Sequence, residues 1–204
     1  AGFGEGGGPT GPQRWIFGYP SRQEYVDAAG HAWLPATEAV IRSGNRSDSV
    51  AASWHTAPRR QFVAGTSDPV LYRYGMHGTN FVAYFTVGPG PYHVRVKLME
   101  TRPVEPDKRA MNIEINGEPV ARNLDVAATA AGRSAERVYA GSAKEQVWEG
   151  MNCAADLVFD SISPKHGVIA VRFTGSNGAE AVVSAIEVGP GSGGKGATPM
   201  ELAQ

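Results

Sequence analysis

The sequence predicts an all-β domain, an antiparallel β-sandwich of the jelly-roll type. Apolar and polar residues alternate with a period of two along several segments, as in half-buried strands. The 204 residues include 26 glycines and 14 prolines, a share that favours short strands joined by many turns. Helical patterns at 37–42 and 127–131 are shorter than the roughly 12 residues an independent helix needs. Strands without crossover helices favour an antiparallel sandwich.

Turn signals separate the predicted strands. Gly88-Pro89-Gly90-Pro91 divides the first two alternating segments, and Asn116-Gly117 supplies residue types that tolerate positive φ in a tight hairpin. Ser163-Pro164 breaks a later strand, and the polar turn 175–178 precedes the last one. The alternating segments are 81–87, 92–98, 111–115, 120–126, 157–162, 169–173 and 182–188.

Composition divides the chain into a body and two tails. Residues 1–12 and 190–204 are rich in glycine and have few apolar side chains, so we expect flexible linkers there. Residues 13–189 are expected to form one sandwich domain. A folded body between two linkers is typical of a module from a larger protein, and ordinary terminal disorder is the alternative.

Charge and cysteine content exclude several classes of protein. The net charge is −1, with 19 basic and 20 acidic residues, which argues against nucleic-acid or anionic-membrane partners. The single cysteine, Cys153, excludes an internal disulfide and a multi-cysteine metal site. No apolar run approaches 18 residues, so no transmembrane helix is expected. No signal peptide is recognisable, which leaves the compartment open.

Catalytic patterns are missing from the sequence. It contains no GxSxG, HExxH or P-loop motif, and the five histidines lack the spacing of metal ligands. No two carboxylates are paired by the sequence as glycoside hydrolysis requires, so a small lyase or hydrolase is the least supported hypothesis. Loops of β-sandwiches suit hard cations, and a structural Ca²⁺ stays open, although no loop is dense in oxygen ligands. We expect no other cofactor.

Aromatic residues in turn-rich stretches suggest sugar binding. Flat sugar faces stack on aromatic rings, while nearby amide and charged side chains bind hydroxyls. Trp15 and Trp33 lie next to apolar residues and are expected to close the core. Trp54 and Trp148 have polar neighbours, and core and surface roles are equally open for them. Tyr74 follows Arg73 just before a glycine-rich turn.

Six segments, in order along residues 25–189, resemble malectin-like domains. Residues 25–33 (YVDAAGHAW) resemble the family's D-x-x-G-x-x-W opening, and residues 68–75 (DPVLYRYG) resemble its D-P-L-Y-x-x-x-R-Y-G segment. The other four are 92–100 (YHVRVKLME), 109–117 (RAMNIEING), 123–132 (NLDV with a later AG) and 167–188, which holds GVIAVRF and AIEV. Residues 155–164 (ADLVFDSISP) are most similar to the version appended to family 2 β-galactosidase-like glycoside hydrolases.

This resemblance implies a non-catalytic carbohydrate-binding module. It would bind an oligo- or polysaccharide by ring stacking and hydrogen bonds, and would target an attached catalytic domain of the same polypeptide. It implies a bacterial protein that is secreted, periplasmic or at the cell surface. The expected ligand-binding residues are Tyr74 as the platform, Arg73, His77 and Asn80 as its polar neighbours, and Trp54 and Trp148.

A structural spacer is the alternative. The family's lectin carries clamp aromatics after the strand that ends at Glu100, whereas this chain has Thr101–Val104 there, with no ring. A spacer would pack on a catalytic domain through a broad apolar patch and would bind no sugar.

Overall fold

A computed structural model describes most of the chain. Side chains are described for residues 8–36, 62–101, 110–132 and 150–201, and the backbone alone for residues 41–42, 53–56, 137–139 and 146–148. Of the described residues, 49% lie in strands and 7% in helices, which confirms the predicted all-β sandwich.

The elements are short, as the glycine and proline content predicts. The strands are β1 (Gln13–Ile16), β2 (Tyr25–Val26), β3 (Ala32–Pro35), β4 (Ile41–Arg42), β5 (Ser53–Thr56), β6 (Tyr74–Gly78), β7 (Asn80–Thr86), β8 (Tyr92–Leu98), β9 (Met111–Ile115), β10 (Glu118–Leu124), β11 (Arg137–Tyr139), β12 (Gln146–Trp148), β13 (Ala155–Ile162), β14 (Val168–Gly175), β15 (Ala181–Val183) and β16 (Ala185–Pro190). The described residues also form two helices, α1 (Val70–Arg73) and α2 (Val126–Ala131).

Two larger sheets form the sandwich. One has the order β13-β8-β16-β1-β3-β2 and the other the order β10-β9-β14-β7-β4. Two small sheets accompany them, β15-β6-β5 and β11-β12. The described pairs are antiparallel except β1 with β3, so neighbouring strands mostly join through turns rather than crossovers.

Alternation along the strands directs one face of each sheet into a shared core. In the five-stranded sheet Phe81, Ile113 and Phe173 point inward and are fully buried. Phe81 and Phe173 are cross-strand partners whose stacked rings lie 5.1 Å apart. The six-stranded sheet contributes Val94, Val96, Leu98, Leu157, Ile186 and Val188 to the same cluster.

A second, smaller core lies beside the sandwich. It joins Trp33, Leu71 and Tyr72 with Ile16 and Val63. Trp33 therefore closes a core, as the sequence predicts, and its indole nitrogen donates a hydrogen bond of 2.9 Å to the Asp27 carboxylate. Trp15 packs against the main core while partly buried.

Helix α2 confirms the short helical pattern at 127–131. Asp125 caps it by accepting a hydrogen bond of 3.0 Å from the Ala128 backbone nitrogen. Gly132 ends it with a φ of 71°, a conformation that glycine adopts without strain. The other predicted helix is not supported, because residues 41–42 form β4 and residues 37–40 lie outside the described part.

Residues 190–201 are bound to the sandwich, whereas composition predicts a flexible linker over 190–204; residues 202–204 lie outside the described part. Pro190 ends β16, and we call residues 191–201 the strap. The Arg95 guanidinium donates hydrogen bonds of 2.7 and 2.9 Å to the carbonyls of Gly193 and Lys195. The Gly193 nitrogen donates a bond of 2.8 Å to the Asp160 carboxylate.

Close approach to the sheet explains Gly193 and Gly196 in the strap. A Cβ on Gly193 would lie 2.6 Å from a Val158 methyl and 2.8 Å from the His93 ring, so a larger residue would force the strap off the sheet. Polar anchoring thus replaces the apolar burial that this segment lacks. Residues 8–12 of the predicted N-terminal linker also touch the sandwich, since the Gly88 nitrogen donates to the Pro9 carbonyl at 2.9 Å.

Truncating Phe173 should destabilise the domain strongly. We expect Phe173→Ala to lower the free energy of unfolding by about 3–5 kcal/mol, because the stacked, fully buried ring leaves a cavity. Phe62 is 78% exposed, so Phe62→Ala should change that free energy by no more than about 0.5 kcal/mol. Urea denaturation measures both, and equal losses would contradict the packing described.

Candidate functional site

The predicted platform, Tyr74, does not offer a free ring face. Tyr74 is only 8% exposed and belongs to the second core. Its ring meets Tyr19 edge-on, with the centroids 5.4 Å apart. Tyr74 begins β6, which lies between β5 and β15, so its ring packs inward. The burial contradicts the stacking role that the sequence suggested for it.

The predicted polar neighbours of Tyr74 lie apart from one another. Arg73 ends helix α1 and is half-buried. The His77 Nδ1 lies 2.7 Å from the Glu180 carboxylate, between β6 and the start of β15. Asn80 starts β7, where its side-chain oxygen accepts a hydrogen bond of 2.6 Å from Arg172. Arg172 also lines the cavity described next, so Asn80 is linked to that cavity through this hydrogen bond.

Trp54 and Trp148 stay predictions. Trp54 lies in β5 opposite Met76, and Trp148 lies in β12 opposite Arg137. Their side chains lie outside the described part of the structure.

The outer face of the five-stranded sheet carries an exposed ring in a cavity. Tyr84 on β7 is 38% exposed, and it lines a cavity of about 430 Å³ together with Val82, Glu114, Asn116, Gly117, Lys165, Val168, Ala170 and Arg172. Among the large apolar side chains of the described residues, Tyr84 and Phe62 are the two exposed rings. Phe62 does not line this cavity.

Strand register places the lining residues in two rows across the sheet. Ala170 on β14 is the cross-strand partner of Tyr84. Arg172, two residues along β14, is opposite both Val82 on β7 and Glu114 on β9. Because side chains two residues apart share a face, the two rows form one continuous surface. The small Ala170 side chain leaves the depression beside the Tyr84 ring.

Hydrogen bonds hold the side of the cavity that is lined by Asn116, Gly117 and Lys165. The Asn116 side chain accepts a bond of 2.9 Å from the Ala170 nitrogen and donates one of 2.9 Å to the Ser163 carbonyl. Lys165 donates a bond of 2.7 Å to the Asn116 carbonyl. The Asn116-Gly117 turn has the positive φ values, 50° and 83°, that the sequence predicts. This wall is therefore rigid, which favours a preformed site.

Sequence reasoning missed this face, although a signal was present. The alternation over 81–87 correctly predicts which residues of β7 point inward, and the same alternation necessarily directs Tyr84 outward. Outward positions on β9 and β14 hold Glu114 and Arg172. An exposed ring with an acid and a base on neighbouring strands is the pattern that could have identified the site.

A second cavity, also about 430 Å³, lies at the edge of the six-stranded sheet. Its polar groups bind one another. Asp156 accepts hydrogen bonds from the Tyr72 hydroxyl, from Lys97 at 2.7 Å and from Arg95 at 2.8 Å. Lys97 also lies 5.3 and 5.7 Å from the centroids of the Tyr72 and Trp33 rings. These contacts indicate a structural network beneath the strap.

The network shifts two pKa values. Burial alone would raise the pKa of Asp156, but the charge and hydrogen bond of Lys97, with the bonds from Tyr72 and Arg95, lower it below its ordinary value. Burial and the neighbouring Asp156 charge raise the pKa of the Tyr72 phenol well above its usual range. Asp156 is therefore ionised and Tyr72 neutral at pH 7.

The described residues form neither a cluster of metal-ligating side chains nor a membrane-spanning helix. In the described part of the chain, no three His, Cys, Asp or Glu side chains cluster as metal ligands would. Within the same residues, none of the helices has the length and apolar character needed to span a membrane.

Comparison with known families assigns the chain. The model of the family described as Malectin domain matches residues 27–186, which is most of the sequence. The chain belongs to the Malectin domain family. No curated protein matches it significantly.

Solved structures show the same fold as this Malectin domain. The plant receptor-like kinase FER matches with a TM-score of 0.60 at 14% identity, over 89% of this chain and 42% of that one. The ANXUR1 extracellular domain from Arabidopsis thaliana matches with a TM-score of 0.60 at 15% identity, over 92% and 42%. A Bacteroides uniformis β-glucuronidase matches with a TM-score of 0.59 at 17% identity, over 88% and 18%.

These proteins are longer than the Malectin domain described here, which spans less than half of each. The identities are low, so the likeness establishes the fold. The family assignment supports a carbohydrate-related domain of the binding type, in a family whose domains are generally non-catalytic.

Acid should destabilise this Malectin domain partly through Asp156. Because its pKa is lower in the folded state, its stabilising contribution is present above the unfolded value near 3.8 and is lost as the pH falls toward the folded value. Asp156→Asn should lower the free energy of unfolding at pH 7, because Lys97 and Arg95 lose their anionic partner. Below about pH 5, the free energy of unfolding of the variant should fall less steeply than that of the unmodified domain.

Urea denaturation between neutral and acidic pH measures this dependence. Glu24 is exposed and serves as a control, so Glu24→Gln should leave the profile nearly unchanged. An unchanged acid dependence in Asp156→Asn would contradict the role given to the network.

Proposed function

We propose that this domain is a non-catalytic carbohydrate-binding module whose glycan lies on the outer face of the five-stranded sheet. The observation that carries the proposal is the exposed Tyr84 ring beside Arg172 and Glu114 in one cavity. A ring face takes the apolar side of a pyranose, and the charged groups bind its hydroxyls.

The dimensions of the cavity suit a small part of a glycan. Its volume of about 430 Å³ lies in the lower half of the range usual for small-molecule sites, about 300–1,000 Å³. A wet site with one ring gains few favourable contacts against the cost of association, and we expect weak binding.

Weak binding is useful when the module is tethered. We propose that the domain is part of a glycoside hydrolase, which it holds close to an oligo- or polysaccharide and so raises the local substrate concentration. The Bacteroides uniformis β-glucuronidase, of which a matching fold covers 18%, supports this arrangement. Such an enzyme would act outside the cytoplasm of a bacterium, as a secreted, periplasmic or surface protein.

A structural spacer is the second candidate function. It is favoured by the burial of Tyr74 and by an exposed apolar strip at the end of the six-stranded sheet. Val26 on β2 and Leu34 on β3 are exposed on the face they share with Ala32. A spacer would bury this strip against a neighbouring domain and would not respond to sugars.

Removing the Tyr84 ring tests the proposal. Isothermal titration calorimetry with a panel of glucosides, galactosides and uronic-acid oligosaccharides should show saturable binding to the unmodified domain. Tyr84→Ala should weaken the association constant at least about tenfold, as expected for a central aromatic contact. Phe62→Ala removes the other exposed ring of the described residues and should bind like the unmodified domain.

Both alternatives have a distinct outcome in this titration. Absence of binding across the whole panel would favour the spacer. Binding that survives Tyr84→Ala would place the glycan elsewhere on the domain and overturn the site.

Filling the depression beside Tyr84 is an independent test. Ala170→Leu places a larger side chain where the sugar ring would lie, and we expect binding to be lost. Stability should change by less than about 1 kcal/mol, because the side chain lies on the outer face. Ala32→Leu makes the same change on an exposed position of the other sheet and should leave binding intact. Full binding by Ala170→Leu would contradict the proposed site.

A further inference from the structure

We infer that Arg172 and Glu114 act as a donor–acceptor pair that recognises two neighbouring hydroxyls of the stacked sugar, and that Asn80 positions Arg172 for this role. The inference rests on the proposed function and adds the residues that determine specificity at the same site.

The register brings these two side chains to the same surface. Arg172 and Glu114 are direct cross-strand partners on β14 and β9, so their side chains leave the sheet close together on the face that carries Tyr84. Both line the cavity with Tyr84. A sugar stacked on the ring therefore has both groups within reach.

Arg172 is engaged on the side away from Glu114. Its Nη1 donates a hydrogen bond of 2.6 Å to the Asn80 side chain on β7. The strand order β9-β14-β7 places Asn80 and Glu114 on opposite sides of Arg172. One bond leaves most of the five guanidinium N–H donors for a ligand.

Glu114 has an unused carboxylate. Among the described residues it forms neither a hydrogen bond nor an ion pair, although its cross-strand partner is an arginine. The side chain is half-buried, so part of it is open to solvent. An ion pair between Glu114 and Arg172 would occupy the groups that a ligand needs. The hydrogen bond from Arg172 to Asn80 holds one end of the guanidinium on the other side.

The pair fits two hydroxyls of an uncharged sugar. Ionised carboxylates only accept and guanidinium groups only donate, whereas each hydroxyl does both. Two adjacent hydroxyls can therefore donate one bond to Glu114 and accept one from Arg172, and both bonds are strengthened by charge. A uronic-acid carboxylate in this place would be attracted by Arg172 but repelled by Glu114 and would give Glu114 no hydrogen-bond donor. Neutral hydroxyls satisfy both groups, so we expect neutral pyranosides to bind better.

Monodeoxy sugars test the pair directly. The probes are methyl β-glucopyranoside and methyl β-galactopyranoside, their monodeoxy derivatives and methyl β-glucuronide, titrated into the domain by NMR. Loss of either of two adjacent hydroxyls should weaken binding about tenfold, since hydrogen bonds to charged groups are strong. Loss of the other hydroxyls should matter little, and the glucuronide should bind more weakly than the glucoside.

Variants identify which hydroxyl each residue binds. In Glu114→Gln and Arg172→Lys, the parent sugar should bind more weakly and the penalty for one of the two deoxy derivatives should shrink, as a coupled contact requires. Asn80→Ala should reduce the affinity penalty for the same deoxy derivative as Arg172→Lys does. Asn80→Asp still accepts the hydrogen bond from Arg172, so the full penalty should remain in that variant. Glu24→Gln and Arg22→Lys are matched exposed controls.

The outcomes separate this inference from the proposed function. Binding that requires Tyr84 but shows no coupling of either residue to any hydroxyl would overturn the pair and leave the module intact. Tighter binding of the glucuronide would overturn the preference for neutral sugars. If the unmodified domain binds neither these glycosides nor the oligosaccharide panel, the proposed function itself fails.

Discussion

Side-chain alternation along β7, β14 and β9 is the constraint on which both the core and the candidate site depend. These strands direct Phe81, Ile113 and Phe173 into the sandwich, and the same register directs Tyr84, Glu114 and Arg172 to the opposite face. A slip of one residue would exchange the two sets. Burial of the aromatic pair therefore stabilises the arrangement of the surface groups, and the site needs no separate device to align its rows.

The outer faces of the two sheets differ in what covers them and in how their charged groups are paired. The strap crosses the outer face of the six-stranded sheet, where Asp156 pairs with Arg95 and Lys97, and Glu187 pairs with Arg14 at 2.7 Å. The His93 ring nitrogen also lies 2.8 Å from the Glu187 carboxylate. These ion pairs are largely buried, so their benefit lies in satisfying groups that the strap covers. On the five-stranded sheet Glu114 faces the cavity without such a partner in the described residues, and this contrast supports a ligand role for that side.

The sequence was sufficient for the fold class because its main signal, the period of two, is local. It also predicted the Asn116-Gly117 hairpin and a short helical pattern at 127–131, since each depends on a few adjacent residues. The strap could not be predicted in this way. Its order comes from Arg95, Asp160 and Thr129, which lie far away in the sequence, while its own composition resembles a linker.

The site was only partly predictable for a related reason. Tyr74 was favoured because of its position in a motif and its polar neighbours, but packing against Tyr19 decides its exposure. Asn80 is predicted as a polar neighbour of Tyr74, whereas its side chain binds Arg172, one of the residues that line the Tyr84 cavity. That contact depends on the pairing of β7 with β14, which follows from long-range register.

The most direct measurement is to map a bound sugar on the isotopically labelled domain by following its amide resonances during titration with an oligosaccharide that binds. The account predicts that the perturbed amides cluster on β7, β9 and β14 around Tyr84, Ala170 and Arg172, while those near the strap and around His77 stay unchanged. Perturbations centred on His77 and Glu180, or on Tyr72 and Asp156, would contradict it.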